Sequence, residues 1–107
     1  MRIARLLPCL LGSGLLVLAA PARAATCTWT RASPASQEEG PCELTEAPGG
    51  FSVSMGTRDW RVRLRDRRGE WSLVTLNGLE AMGHDVGMTI SSYTTTDLNE
   101  TLDVRLE

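Results

Sequence analysis

The stretch FSVSMGTRDWRVRLRDRRGEWSLVTL, Phe51 to Leu76, decides the fold class. Phe51, Val53 and Met55 alternate with Ser52 and Ser54. On a strand that period of two gathers the large apolar side chains on one face. Gly56-Thr57-Arg58 reads as a turn. Trp60, Val62 and Leu64 then alternate with Arg61, Arg63 and Arg65, the clearest half-buried strand in the chain. Asp66-Arg67-Arg68-Gly69 reads as the next tight turn. Trp71 to Leu76 is a more continuous apolar run, which predicts a central strand covered on both faces. The whole stretch predicts a three-stranded antiparallel meander.

Working outward, Asn77-Gly78 is a strong hairpin signal. Leu79 to Met82 reads as a short helical turn or a strand, and Gly83 and Gly87 interrupt either. Val86 to Tyr93 reads as extended, and Asp97 to Glu100 as a turn. Leu102, Val104 and Leu106 alternate with Asp103, Arg105 and Glu107, giving a terminal strand. At the front, Cys27 and Trp29 alternate with Thr26, Thr28 and Thr30, and Glu43 to Thr45 suggests another short strand. Six to seven short strands without a helix predict an all-β fold, a small antiparallel sandwich or barrel. Pro48-Gly49-Gly50 reads as a turn rather than a linker. A length of 107 residues allows one domain and excludes a large α/β enzyme, a solenoid or a polytopic membrane protein.

Residues 1–24 read as a cleaved signal peptide and residues 25–107 as one disulfide-stapled β domain. Arg2 and Arg5 precede an uncharged run from Leu6 to Ala20, and Ala22-Arg23-Ala24 offers small residues before a cut at Ala25. The run is 15 residues long and is interrupted by Pro8, Gly12 and Gly14. Spanning a bilayer takes about 20 apolar residues, so stable membrane insertion is not expected. Cys9 follows Pro8 inside the run, which does not fit a lipidation site. Removing the signal takes three of the 11 Arg, leaving eight against 13 acids and no Lys, a net charge of −5. Such a chain is a poor nucleic-acid binder. The expected location is the periplasm or the extracellular space.

Cys27 and Cys42 remain after processing, and an exported pair normally closes. Their spacing is not Cys-x-x-Cys, and two thiolates lack the further ligands of a zinc site. The enclosed segment, Thr28 to Pro41, is rich in turn and solvent residues, so the bridge is expected to tie down a loop with little core of its own.

Three groups of residues carry candidate chemistry. Arg61, Arg63 and Arg65 on one strand stand about 6.6 Å apart in line. Such a row serves as a solvated face balanced by acids on neighbouring strands, or as a guard against edge pairing. It is also the face this acidic chain would offer to an acidic partner. Met82, His84 and Met88, with Asp85 between them, are soft ligands suited to copper(I), although Met is also ordinary core filler. Trp29, Trp60 and Trp71 could stack sugars, but two of them fall on apolar strand faces and read as core. No motif activates a Ser beside the single His84, no phosphate-binding glycine loop occurs, and nothing places two carboxylates across a cleft. Asn99-Glu100-Thr101 matches a glycosylation sequon. The chain is read as a non-enzyme without a cofactor.

The order Cys27 … Gly40-Pro41-Cys42 … Gly50-Phe51-Ser52-Val53 … Asn77-Gly78 resembles a loose family of small exported bacterial proteins of unknown function. The resemblance covers Cys27 to about Gly78. Members often carry a second, C-terminal Cys pair, which this chain lacks. Small periplasmic lysozyme inhibitors are similar in size and β content, but their Cys spacing is wider, so that likeness is one of class. The reading that follows is an exported binding or inhibitor-type module acting on an envelope or extracellular macromolecule. The alternatives are a periplasmic copper-handling protein and a structural envelope accessory.

Overall fold

A computed structural model describes residues 21–107, so the signal-peptide reading of residues 1–20 lies outside the described residues. The described chain is all-β. Eight strands follow one another: β1 Ala22–Arg31, β2 Ser36–Ala47, β3 Gly50–Met55, β4 Arg58–Arg68, β5 Trp71–Leu76, β6 Leu79–Asp85, β7 Ile90–Thr95 and β8 Glu100–Leu106. Each pairs antiparallel with the next, and β8 pairs back onto β1, closing a barrel. The fold is therefore a barrel rather than a sandwich, with eight strands instead of six or seven.

The meander expected from Phe51 to Leu76 is present as β3, β4 and β5. Asn77 and Gly78 both take positive φ, 51° and 83°, as the two-residue turn between right-twisted strands requires. Two expectations need correcting, and one open alternative, helical turn or strand at Leu79 to Met82, resolves to strand. The segment after Ser36 is not a solvent loop. It pairs with β1 from Arg31↔Ser36 to Ala22↔Thr45, because a backbone ladder satisfies its polar groups whatever the side chains are. Leu79 to Met82 is strand, drawn into β6 by the Asn-Gly turn. β5 is covered on one face only, since a single closed sheet has no second layer outside it, and Trp71 is 46% exposed.

The inward positions form one core, in which Trp29, Val53, Leu76 and Leu102 are almost fully buried. Cys27 and Cys42 lie within it and are bonded, with Cα atoms 5.8 Å apart. The bridge thus ties β1 to β2 inside the barrel instead of clamping a loop. At one end Trp29 meets Trp60 with ring centroids 6.3 Å apart. Its indole N–H donates to Glu100 Oε1 at 3.2 Å. The Arg58 guanidinium lies 4.0 Å above its ring and is held by Glu38 at 2.6 Å. That cation–π contact is worth about 1 kcal/mol at a half-exposed site.

Close approach fixes two glycines. A Cβ on Gly50 would collide with the Val62 carbonyl of β4, and one on Gly83 would stand 2.9 Å from the Tyr93 ring. Tyr93 packs edge-on against Phe51, and burial raises its phenol pKa above the ordinary range.

β1 begins three residues before the expected cleavage point. Ala22, Arg23 and Ala24 are exposed and pair with β2, the Ala24 carbonyl also accepting from the Glu107 N–H at 3.3 Å, whereas the β1–β8 register starts at Ala25↔Leu106. A chain starting at Ala25 keeps that entire register.

The bridge closes a loop of 15 residues in the unfolded chain. Replacing Cys27 and Cys42 together by Ser should lower the unfolding free energy in urea by about 3 kcal/mol. In the turn after β7, the Thr95 hydroxyl and the Asn99 N–H both donate to the Asp97 carboxylate and lower its pKa. A depressed carboxylate stabilises the fold above its unfolded pKa, and the contribution is lost as pH falls through the lower folded value. An Asp97→Asn variant should therefore lose less stability than the parent below about pH 4, measured by urea melts across the acid range.

Candidate functional site

Two outward faces of the barrel carry the residues singled out in the sequence. The first lies on β3, β4 and β5. Arg61 and Arg63 are exposed and point away from the core, at the alternate positions to buried Trp60 and Val62. Their cross-strand neighbours are Ser52 opposite Arg61, and Gly50 and Thr75 on either side of Arg63. None of these is acidic, so the neighbouring strands do not supply the balancing charges expected there. Among the described residues, the ion pairs of this molecule go to Arg58, Arg68 and His84, and none reaches Arg61 or Arg63. Nor do these charges guard an edge, because β4 is paired on both sides.

Asn77 finishes this face. Its side-chain carbonyl accepts from the Arg61 N–H at 2.7 Å, and its amide donates to the Asp59 carbonyl at 3.2 Å. The result is an open groove of about 730 Å³ lined by Ser52, Asp59, Arg61, Arg63, Thr75 and Asn77 among others. An anion with two or more oxygens could take hydrogen bonds here from both guanidinium groups and from the hydroxyls beside them.

Arg65 does not continue the row as an ordinary ladder position. The β4–β5 register passes from Leu64↔Val74 directly to Asp66↔Leu73, leaving Arg65 as the extra residue of a bulge. The bulge shifts the strand's alternation. Arg67 now pairs with Ser72, and its charge opposes the rise in the Tyr93 pKa, which burial causes. Asp66 and Arg68 bond to each other at 3.0 Å. The expected turn at Asp66 to Gly69 is thus strand as far as Arg68. The in-line pair is Arg61 and Arg63, with Arg65 displaced at its end.

The second face lies on β5, β6 and β7. Trp71 and His84 are cross-strand partners and stack with ring centroids 4.3 Å apart and an interplanar angle of 7°. His84 Nε2 is 3.8 Å from Glu70 Oε1. Met82 shares the face with His84, two residues away, and both line a groove of about 440 Å³ with Trp71, Val86, Thr94 and Leu98 among others. Met88 lies in the connection after β6, fully exposed and outside that groove. The three candidate copper ligands are therefore not brought together as a set. Among the described residues no group of three His, Cys, Asp or Glu side chains is spaced to hold a metal ion.

Trp29 and Trp60 are core, as expected, and Trp71 alone of the three is on the surface. Asn99 of the sequon is engaged: its side-chain oxygen accepts from the Ser33 N–H at 2.9 Å. Sequence reasoning missed Ser52, Thr75 and Asn77 as companions of the Arg pair, and Leu98 and Thr94 as companions of Trp71. Their grouping depends on cross-strand register, for which the chain holds no local signal.

The exposures of the tryptophans make a simple check. Acrylamide should quench one class of Trp fluorescence strongly and leave a second class nearly unquenched. A Trp71→Phe variant should lose the quenchable class. Compared with known proteins, the chain matches no family model, no curated protein and no solved structure.

Proposed function

We propose that this protein is an exported, non-enzymatic binding module that engages an acidic macromolecule of the envelope or extracellular space through the Arg61/Arg63 face. One observation carries the reading: two exposed arginines line one groove, and among the described residues no carboxylate lies within ion-pair distance of either guanidinium. In a chain whose domain carries a net charge of −5, unneutralised cations on one face set up a field that orients an anionic partner. The surrounding hydroxyls and the Asn77 turn add hydrogen-bonding capacity, and Asp59 is the one carboxylate in the lining, against two guanidinium groups. The Cys27–Cys42 bridge is compatible with an oxidising, exported location. The reading covers an inhibitor as well as an envelope accessory, since either docks through a rigid surface.

The double variant Arg61→Glu/Arg63→Glu tests it. Both side chains are exposed, so stability in urea should change by no more than about 0.5 kcal/mol per site. Retention on immobilised polyglutamate, read as an apparent Kd, should weaken by roughly tenfold or more. Retention equal to the parent's would overturn the reading. An Arg31→Glu/Arg105→Glu variant controls for net charge and should retain most of the binding.

A further inference from the structure

Seven large apolar side chains are conspicuously exposed among the described residues, and four of them, Trp71, Met82, Val86 and Leu98, line a single groove on the outer face of β5 to β7. Scattered apolar residues on a surface are ordinary, whereas a cluster in one concavity marks a contact surface. Leu98 strengthens the case. It is 74% exposed and adopts φ 63°, a left-handed conformation that Gly or Asn takes at less cost. Its N–H donates to the Thr95 carbonyl at 2.7 Å, closing the turn that carries Leu98 into the groove lining. A strained position spent on displaying an aliphatic side chain to water is unexplained by folding alone.

The border of the groove is acidic. Glu70 adjoins His84 and keeps an 84% exposed side chain. Glu80 is exposed two residues before Met82 on the same face of β6. Asp97 immediately precedes Leu98, and like any Asp it is ionised at neutral pH. Asp103 stands opposite Ser92 on β8. Of the cations nearby, Arg68 lies across from Trp71 but is bonded to Asp66, and Arg105 lies across from Ile90. The floor is apolar and the fringe is negative.

We infer that this face docks a basic, apolar segment of a partner protein, with its aliphatic side chains against Trp71, Met82 and Leu98 and its Lys or Arg side chains toward Glu70 and Glu80. The charge complementarity is opposite to that of the Arg61/Arg63 face, so the two surfaces select different partners, and failure of one leaves the other standing. The carboxylates of Glu70 and Glu80 suit a guanidinium or ammonium group, and the aliphatic stems of Lys and Arg suit the apolar floor.

The test uses the full chain and three synthetic peptides of one length: alternating Lys and Leu, Lys and Ser, and Glu and Leu. Binding is read by the emission shift of exposed Trp71 and by calorimetry in about 0.1 M salt, where long-range attraction is screened. The Lys/Leu peptide should bind at least about tenfold more tightly than either of the others. Glu70→Lys/Glu80→Lys, and separately Met82→Ser/Leu98→Ser, should each weaken it by about tenfold while leaving the thermal midpoint near the parent's. Trp71→Ala should act likewise, and the Met82 and Leu98 substitutions keep the test valid if that variant unfolds. Equal binding of the Lys/Ser peptide would reduce the effect to charge and overturn the inference. So would equal binding of the Glu/Leu peptide, or parent-like affinity in both double variants. Sedimentation showing that the parent self-associates through this face, and that Met82→Ser/Leu98→Ser is monomeric, would assign the groove to a second copy and overturn it too.

Discussion

The pairing of β8 onto β1 is the constraint on which the rest of this structure depends. From Ala25↔Leu106 to Arg31↔Glu100, the last strand returns to the first and the sheet has no free edge. Closure gives each strand two neighbours, so backbone groups are satisfied even where the sequence is too polar to suggest a strand. It also divides the side chains cleanly. Inward positions build a core in which tryptophans, valines and a disulfide fill an interior of a width that eight strands can enclose. Outward positions have no second layer to cover them. Both proposed contact faces are consequences of that division.

The two faces arise in different ways. On β3 to β5 a regular alternation places Arg61 and Arg63 outward, and the register sets Ser52 and Thr75 beside them rather than acids. The charges are left unpaired because of which residues lie one strand away. On β5 to β7 the alternation places Trp71, Met82 and His84 outward, and the stack of Trp71 on His84 holds an indole at the surface. At the far end of that groove a strained turn displays Leu98. The Leu64/Asp66 bulge lies between the two faces in the chain and limits the arginine row to a pair.

A network of side chains gathers at the Trp29 end. There one indole is enclosed by Trp60, covered by Arg58, and hydrogen-bonded to Glu100, with Glu38 holding the arginine in place. This network links β1, β2, β4 and β8, the strands on both sides of the closing seam. At the opposite end the glycines at 50 and 83 allow strands and the Tyr93 ring to approach backbone directly.

The alternations at Phe51 to Met55, Trp60 to Val62 and Leu102 to Leu106, the Asn77-Gly78 turn and the Cys27–Cys42 pair were legible from the chain alone, whereas Leu64, read as facing inward, is exposed at the bulge. Each legible feature depends on side chains within a few residues of one another or, for the two thiols, on the expectation that Cys9 belongs to a signal peptide and leaves Cys27 and Cys42 as the pair. The strand character of Ser36 to Gly40 was not legible, because its residues are turn formers and only the ladder to β1 makes them extended. The exposure of Trp71 was not legible either, since an apolar run looks the same in a buried central strand as in a barrel wall. The break at Arg65 was hidden because a bulge is a property of two strands in register and not of one. Local chemistry determined the course of the strongly alternating strands and most of the side chains that face inward from them. Only the long-range closure of the barrel decided which outward residues became neighbours, and the two candidate surfaces consist of nothing else.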